Sequence, residues 1–154
     1  LYVATVARTY RKAIDDYLKS PELYRENMEW YKSEIGKCTY REFTTGFYFH
    51  KPDAMTQIYD SNTYVKNYTY LGTVEAVRED GLVRIEQKNK FSVGETVEIM
   101  KPDGRNLEKE VAAICDEEGN PVESAPHPKQ VLYVDLGADA ECGDIIRRSE
   151  MEAD

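Results

Sequence analysis

The sequence has few of the residues from which metal and catalytic sites are usually built. Its 154 residues include three cysteines and two histidines. Cys38, Cys115 and Cys142 are widely spaced and form no CxxC pair, which fits reduced thiols in a cytoplasmic protein better than a disulfide framework. With only His50 and His127 besides, no zinc-finger spacing can be drawn. We therefore expect no metal ion and no cofactor in this chain.

Long apolar runs and known catalytic motifs are also missing. The longest apolar runs are only a few residues, so we expect no transmembrane segment. HExxH, GxSxG, GxGxxG and the Walker loop do not occur. His127 lies between two prolines in a loop-like stretch, where a catalytic imidazole would be poorly held. Turns and helix surfaces explain the abundant carboxylates, so we expect no catalytic residue in this chain.

Positive charge is scarce in the second half of the chain. The net charge is −9, and residues 81–154 contain 9 Lys and Arg against 17 Asp and Glu. Residues 1–40 are nearly balanced, with 7 against 6. Because an acidic surface repels phosphate backbones, we expect no sequence-independent nucleic-acid binding by the acidic half, although a local basic spot is compatible with the composition.

The N-terminal part of the chain is predicted to form a pair of helices. Apolar residues recur every three or four positions from Val3 to Leu18, which places them on one helix face opposite a charged face. A second helix is predicted from Ser20, a capping residue, and Pro21 to Gly36, which suits a left-handed terminator. Such a pair has too little to bury alone, so we expect both apolar stripes to pack on something else.

From Asn67 onwards the period changes to two, and turn signals rich in Gly, Pro, Asp and Asn recur. This pattern predicts six short antiparallel strands. We expect them to close into a small barrel, because open edges of that length promote aggregation. The predicted strands cover residues 70–77, 82–87, 95–100, 108–115, 130–136 and 144–148.

Residues 41–66 are predicted to connect the helical pair (1–40) to the barrel domain (67–154), and they are rich in aromatics. A segment of that length without regular structure is uncommon unless it packs on a surface or has a function. Two interpretations remain open, because aromatic rings can attach the connector to its neighbours or contact a ligand. The candidate binding residues are Phe47, Tyr48, Phe49, Tyr68, Tyr70, Arg84, Lys88 and Lys90.

Three stretches of the sequence carry a family resemblance. They are YVATVARTYRKAIDDY (Tyr2–Tyr17), REFTTGFYF (Arg41–Phe49) and the barrel sequence from Tyr70 to Gly104. The most specific parts are TTGFYF and an N-x-F-x-x-G-E-x-x-E-I run that begins at Asn89. These stretches keep the family's order over nearly the entire chain. The chain resembles the C-terminal region of the collagenase-like peptidase family (class U, unknown catalytic type, family 32).

The resemblance implies that a large modified β/α barrel, regarded as the peptidase domain, precedes this region. The first helix would be the end of that domain. The small β-barrel is similar to the second domain of translation elongation factors, a module that can contact RNA or proteins. Some bacterial relatives act in hydroxylating a tRNA uridine, with prephenate and an iron–sulfur cluster implicated. The family's cysteine and histidine motifs lie upstream and match no position here, so no catalytic residue or cluster ligand is carried over.

Three functions follow as expectations. The first is a non-catalytic accessory region that positions a peptide substrate or a partner for the upstream peptidase domain. The alternative is an RNA-recognition module of a tRNA uridine-hydroxylation protein, in which the aromatic residues stack on a few bases. The third is self-association through the apolar helix stripes. Because the chain begins at Leu1 rather than at a methionine, we expect it to be a fragment of a longer protein.

Overall fold

The computed structural model describes residues 1–40, 46–51, 65–127, 129–137 and 139–150. It has a helical N-terminal region followed by a mainly β part. None of the helices in the described part of the chain is long and apolar enough to cross a membrane. The described helices are α1 (Tyr2–Lys19), α2 (Pro21–Glu26) and α3 (Met28–Ile35).

Capping residues divide the helical region. The Ser20 hydroxyl oxygen accepts hydrogen bonds from the backbone N–H groups of Glu22 and Leu23 at 3.1 and 3.3 Å, which confirms the predicted start of the second helix. Asn27, with φ −86° and ψ 5°, then interrupts that helix, so the predicted pair is three helices. Gly36 ends α3 with φ −74°, so the predicted left-handed terminator is wrong.

Nine strands lie within the described residues. Two of them, β1 (Thr39–Tyr40) and β2 (Val65–Lys66), pair with each other at the two ends of the predicted connector. The other seven form one antiparallel sheet. They are β3 (Tyr68–Val77), β4 (Val83–Gln87), β5 (Thr96–Met100), β6 (Asn106–Glu110), β7 (Ala113–Cys115), β8 (Val131–Asp135) and β9 (Ile145–Ser149).

The seven strands have the order β6-β5-β9-β3-β4-β8-β7, so β6 and β7 are the two edges. Only Val111 and Ala112 separate these edges in sequence. Three Cα steps span at most about 10 Å, whereas the edges of a flat seven-stranded sheet lie about 29 Å apart. The sheet must therefore curl. Val111 N–H donates to the Glu95 carbonyl at 2.9 Å and Ala112 N–H donates to the Asp135 carbonyl at 3.1 Å, so this linker is bonded to both sides.

The sheet is therefore a curled half-barrel of seven strands instead of the predicted six-stranded barrel. The predicted fourth strand, residues 108–115, is divided by the Val111–Ala112 linker into β6 and β7. The other five predicted strands correspond to observed ones. The difference arises because the chain must cross from one edge of the sheet to the other, which a single straight strand cannot do.

The concave side of the sheet holds an apolar core. In β4 the alternation is regular, with Val83 and Ile85 buried and Arg84 between them partly exposed. Gly72 allows β3 to approach β4 closely, because a Cβ at this position would lie 2.5 Å from Ile85 Cγ2. The core side chains are Leu71, Val74, Val83, Ile85, Phe91, Val97, Ile99, Val111, Ile114, Ala125, Leu132, Val134, Leu136, Ala140 and Ile146.

Candidate functional site

A buried ionic network joins the helices to the convex side of the sheet. Glu34 of α3 accepts hydrogen bonds from Arg8 of α1 and from Arg147 of β9, the latter at 2.5 Å. Arg147 Nε also donates to Glu98 Oε1 of β5 at 2.5 Å. Arg147 is 0% exposed and Glu34 is 1% exposed. Two arginines and two carboxylates from four different elements are thus brought together away from water.

Neutral groups add hydrogen bonds to this network, although the buried Nε of Arg8 has no partner among the described residues. Asn106 Nδ2 donates to Glu34 Oε2 at 2.8 Å, and Asn106 Oδ1 accepts from Arg8 Nη1 at 2.9 Å. Burial by itself would raise the pKa of Glu34, but Arg147 and Arg8 outweigh burial and hold that pKa below its ordinary value. Glu34 is therefore ionised at neutral pH, and both arginines keep their counter-charge.

The network reverses the orientation expected for an amphipathic helix. The residues of α1 that are buried are Thr5, Arg8, Thr9 and Asp16, all of them polar. The predicted apolar stripe faces outward along most of its length, and only Val6 and Ala13 of its members are partly buried. The large apolar side chains of α1 that are exposed, by 51 to 77%, are five members of the stripe and the neighbouring Tyr2: Tyr2, Val3, Tyr10, Ile14, Tyr17 and Leu18. The helical region therefore contacts the sheet through charge and presents its apolar face to the outside.

A second buried cation supports the turn on which α1 rests. Lys101, at the end of β5, donates to Asp144 Oδ2 at 2.8 Å and to Glu141 Oε2 at 2.7 Å. Burial lowers the pKa of Lys101, but these two carboxylates outweigh burial and raise it. The Lys101 carbonyl in turn accepts from Arg8 Nη1 at 2.9 Å. The same turn is therefore held from the sheet and from the helix.

The candidate binding residues Phe47, Tyr48 and Phe49 lie in a short loop and are exposed by 80, 84 and 74%. The rings of Tyr48 and Phe49 meet edge to face, with centroids 4.9 Å apart. Between this loop and the tyrosines of β3 the described residues make no ring contact. The rest of the predicted connector, residues 41–45 and 52–64, lies outside the described residues.

Tyr68 and Tyr70 begin β3 and have different surroundings. The Tyr68 ring lies beneath Arg147 and Lys37, whose charged groups are 5.0 and 5.5 Å from the ring centroid. Tyr68 is therefore part of the surroundings of the buried network. The Tyr70 hydroxyl is 2.6 Å from Thr73 Oγ1, a hydrogen bond that leaves the ring partly exposed at the surface of the sheet.

The candidate cations on β4 and after it are mostly neutralised. Arg84 pairs with Glu75 at 3.1 Å, and Lys88 pairs with Glu86 at 2.5 Å. The hydrogen bond to Glu86 raises the pKa of Lys88. Lys90 is exposed, and its ammonium group has no ion-pair partner among the described residues. A phosphate would therefore find one available cation here and two that already have carboxylate partners.

The segment Lys88–Lys90 nevertheless runs next to Tyr70. Lys88 N–H donates to the Leu71 carbonyl at 2.8 Å, and Asn89 Nδ2 donates to the Tyr70 carbonyl at 2.7 Å. These bonds hold the residues after β4 against the start of β3. Arg84 lies at the opposite end of the β3–β4 ladder, where it faces Ala76.

Sequence reasoning missed the buried network. Arg147 follows Ile146, and both are buried, so β9 is covered on two sides. Alternation predicts one buried and one exposed face, and it gives no sign that helices cover the second face. The only local signal was the short run of two arginines after two isoleucines in a segment otherwise suited to a central strand.

The three cysteines do not fit an iron–sulfur cluster. The Cys38 thiol donates to the Ile35 carbonyl at 3.3 Å, and the Cys142 thiol donates to the Glu75 carbonyl at 3.0 Å. Cys115 faces Tyr133 on β8. Burial raises the pKa of Cys38, which disfavours the thiolate that a metal requires. In the described part of the chain no three His, Cys, Asp or Glu side chains are placed to hold a metal ion.

Comparison with known proteins relates both parts of the chain to one family. The model of the peptidase family U32 C-terminal domain matches residues 66–147, more than half of the chain, and the model of peptidase family U32 matches residues 1–58. A tRNA hydroxylation protein P1 from Bacillus subtilis is 35% identical over 136 residues, which are 88% of this chain and 32% of the relative. A tRNA hydroxylation protein P from Escherichia coli is 27% identical over 141 residues, which are 91% of this chain and 30% of the relative. The chain thus spans about a third of the length of these relatives.

A solved structure is similar as well. It is the C-terminal domain of a Geobacillus thermoleovorans protein described as a U32 peptidase, with a TM-score of 0.48 and 26% identity. The similarity covers 52% of this chain and 99% of that chain. The match of the family models, in the order expected for a C-terminal region, confirms the resemblance of the sequence: the chain belongs to peptidase family U32.

Proposed function

We propose that this chain is the non-catalytic C-terminal module of a longer tRNA-hydroxylating protein, called the parent below. In the parent the module would position tRNA for a catalytic domain that precedes it. The names of the relatives support tRNA as the substrate, since two proteins similar over 88 and 91% of this chain are called tRNA hydroxylation proteins. We place this activity in the cytoplasm.

The observation that carries the accessory role is the buried ionic network. Through Glu34 and Arg147 it attaches the sheet to the helices, and the helices lie within residues 1–58, which match the peptidase family U32 model. A site must be supported by a rigid shell if it is to hold a substrate in a defined position. A sheet fixed to the helices in this way can hold a substrate at a constant distance from the preceding domain.

Substrate contact would come from the exposed aromatic loop Phe47–Phe49 and from the cluster of Tyr70, Lys88 and Lys90. Stacking of a base on an aromatic ring contributes about 1–3 kcal/mol and tolerates any base. The scarcity of unpaired cations limits contact with phosphates, so we expect the module to hold a few nucleotides and not a long stretch of backbone. A curled half-barrel that resembles the second domain of translation elongation factors would suit this task.

The second candidate function is the positioning of a peptide for cleavage. It is favoured by the family description, which is that of a peptidase, and by the exposed aromatic loop, which suits peptide side chains as well as bases. In that case the parent is a collagenase-like hydrolase and the module is its accessory domain.

The test uses the full-length parent in cells that lack its gene. Hydroxylated nucleosides in bulk tRNA are measured by mass spectrometry after complementation with the wild type, with Tyr70→Ala/Lys90→Ala, or with the control Lys32→Ala, which removes an exposed cation from α3. We expect the wild type and the control to restore the modification, and the double variant to restore about a tenth of it or less, because it has lost a stacking ring and the available cation. Failure of the wild type to restore hydroxylation would reject the tRNA function and leave peptide cleavage to be assayed.

A further inference from the structure

We propose that the outward apolar face of α1 is the docking surface for the part of the parent polypeptide that precedes Leu1. This inference deepens the proposed function and rests on it for the existence of a preceding domain. The docking face consists of Val3, Ala7, Tyr10, Ile14, Tyr17 and Leu18.

The docking face has the geometry of a helix that packs on two sides. Its residues are spaced three and four apart, and the polar residues Arg8 and Asp16, which face the sheet and the other helices, lie on the opposite side. Next to it Tyr24 of α2 meets Tyr17 edge to face at 5.8 Å, and the two rings border an apolar groove of about 400 Å³. The charged face of this helix is buried and its apolar face is exposed. The helix therefore lacks its principal apolar partner within the described residues.

The exposed apolar residues are unevenly distributed over the two family matches. Of the eleven large apolar side chains that are exposed among the described residues, nine lie within residues 1–58. Only Val77 and Val93 lie within the C-terminal domain match, residues 66–147. Concentrated apolar surface marks an interaction site, and here it is confined to the part of the chain that matches the other domain of the family.

The occupant follows from the length and order of the family matches. The chain spans 32% of the Bacillus subtilis relative, and the C-terminal domain match follows the peptidase family match along the chain. In a parent of that length and domain order, the rest of the peptidase family region would precede Leu1, at the start of α1. A domain joined there has a high effective concentration at the docking face. None of the six residues of the face is charged, so the complementary surface is apolar.

The test is thiol labelling of the full-length parent. Tyr10→Cys and Ile14→Cys place a thiol on the docking face, and the control Lys19→Cys places one on the other side of the same helix. Each thiol reacts with a maleimide under native conditions and in urea, and peptide mass spectrometry gives its rate relative to the exposed native Cys142. We expect the docking-face thiols to react at least about tenfold more slowly than Lys19→Cys in the native parent, and equally fast in urea. Leu18→Cys, one turn beyond Ile14, repeats the test if Tyr10→Cys does not fold.

Equal native rates at all positions would overturn the proposal. Protection that disappears on dilution would also overturn it, because a second copy of the chain would then be the occupant. Labelling requires neither tRNA nor activity. If the parent does not hydroxylate tRNA but its docking-face thiols are protected at every concentration, the proposed substrate is wrong and the docking surface is correct. If the parent hydroxylates tRNA but the thiols are not protected, the substrate is correct and the docking surface is wrong.

Discussion

At the scale of single residues, Glu34 is the group on which the attachment of helices to sheet depends. Its carboxylate accepts from two arginines that are 26 and 113 residues away in sequence. Both arginines are buried and have few other partners for their charge, although Arg147 also pairs with Glu98. An ion pair of this kind need not be more stabilising than apolar packing, but its members depend strongly on one another once they are buried.

Replacement of Glu34 by glutamine therefore has a large effect. Glu34→Gln leaves Arg8 and Arg147 buried with less counter-charge, and we expect the free energy of unfolding to fall by about 3–5 kcal/mol. Urea denaturation at neutral pH measures it. The control Glu29→Gln breaks an exposed pair with Lys32 on the same helix and should cost less than about 1 kcal/mol. Similar losses in the two variants would mean that the network is not coupled as described.

The same carboxylate makes stability dependent on acid. The pKa of Glu34 is lowered in the folded chain, so the unfolded chain binds more protons than the folded one below the ordinary value of 4.5. Stability is therefore complete above that value and is lost as the pH falls through the folded-state pKa. We expect urea midpoints measured between about pH 7 and about pH 3 to fall more steeply for the wild type than for Glu34→Gln. The pKa of Asp16 is also lowered, so Asp16 causes part of the loss of stability in acid in both proteins. Parallel curves would show that Glu34 does not titrate as proposed.

At the scale of elements, α1 meets the turn between β5 and β6. Gly104 in this turn has φ +96°, and a Cβ there would lie 2.5 Å from Lys12 Cδ. Lys12 in turn donates to Asp16 at 2.9 Å, and Asp16 also accepts from the Tyr31 hydroxyl at 2.7 Å. A short turn thus lies against a helix whose own side chains tie it to α3.

A pair of glycine substitutions separates this contact from backbone strain. Gly104→Ala and Gly81→Ala both place a side chain at a similar positive φ, but at Gly81 a Cβ would meet nothing within 4 Å. We expect Gly81→Ala to cost about 1–2 kcal/mol from strain alone, and Gly104→Ala to cost about 1 kcal/mol more because Lys12 must move. Thermal or urea unfolding gives both values. Equal costs would show that the Lys12 side chain moves away from the added methyl group at no measurable cost.

At the scale of the whole molecule, the helices and the curled sheet share a buried interface that is polar, while the sheet has an apolar core of its own. Arg8, Glu34 and Arg147 link the two parts, and no charged group of this set can be exposed without breaking the others' bonds. The two parts should therefore unfold together, in spite of their different secondary structure.

Cooperative unfolding can be measured with probes in each part. Trp30, the one tryptophan of the sequence, lies in α3 with the Arg8 guanidinium 5.7 Å from its ring and reports on the helices. Amide hydrogen exchange of β4 and β8 reports on the sheet. We expect the two probes to give the same free energy of unfolding in the wild type. In Glu34→Gln the Trp30 transition should occur at lower urea than the opening of the sheet. A separate transition of Trp30 at lower urea in the wild type would contradict cooperative unfolding of the helices and the sheet.

Local pattern was enough to predict much of the fold. Alternation located five of the sheet strands, and Ser20 marked a helix start, because periodicity and capping depend on neighbours in sequence. The division of the fourth predicted strand at Val111 could not be predicted, since it follows from how far the sheet curls. Among the candidate site residues, the sequence indicated the exposed aromatic loop, but it could not indicate that Tyr68 lies beneath Arg147.

The sequence by itself determined the family, the existence of the helices and most of the strands, and an amphipathic α1. Only the tertiary structure decided which face of α1 is turned inward. The usual rule buries the apolar face, but Arg8 finds Glu34 and the sheet's Arg147 on the opposite side. These partners are distant in sequence, and no local pattern reports them. The physical reason is that a buried charge is stable only where specific counter-charges and hydrogen-bond partners surround it. An apolar stripe is less selective, because any apolar surface can cover it.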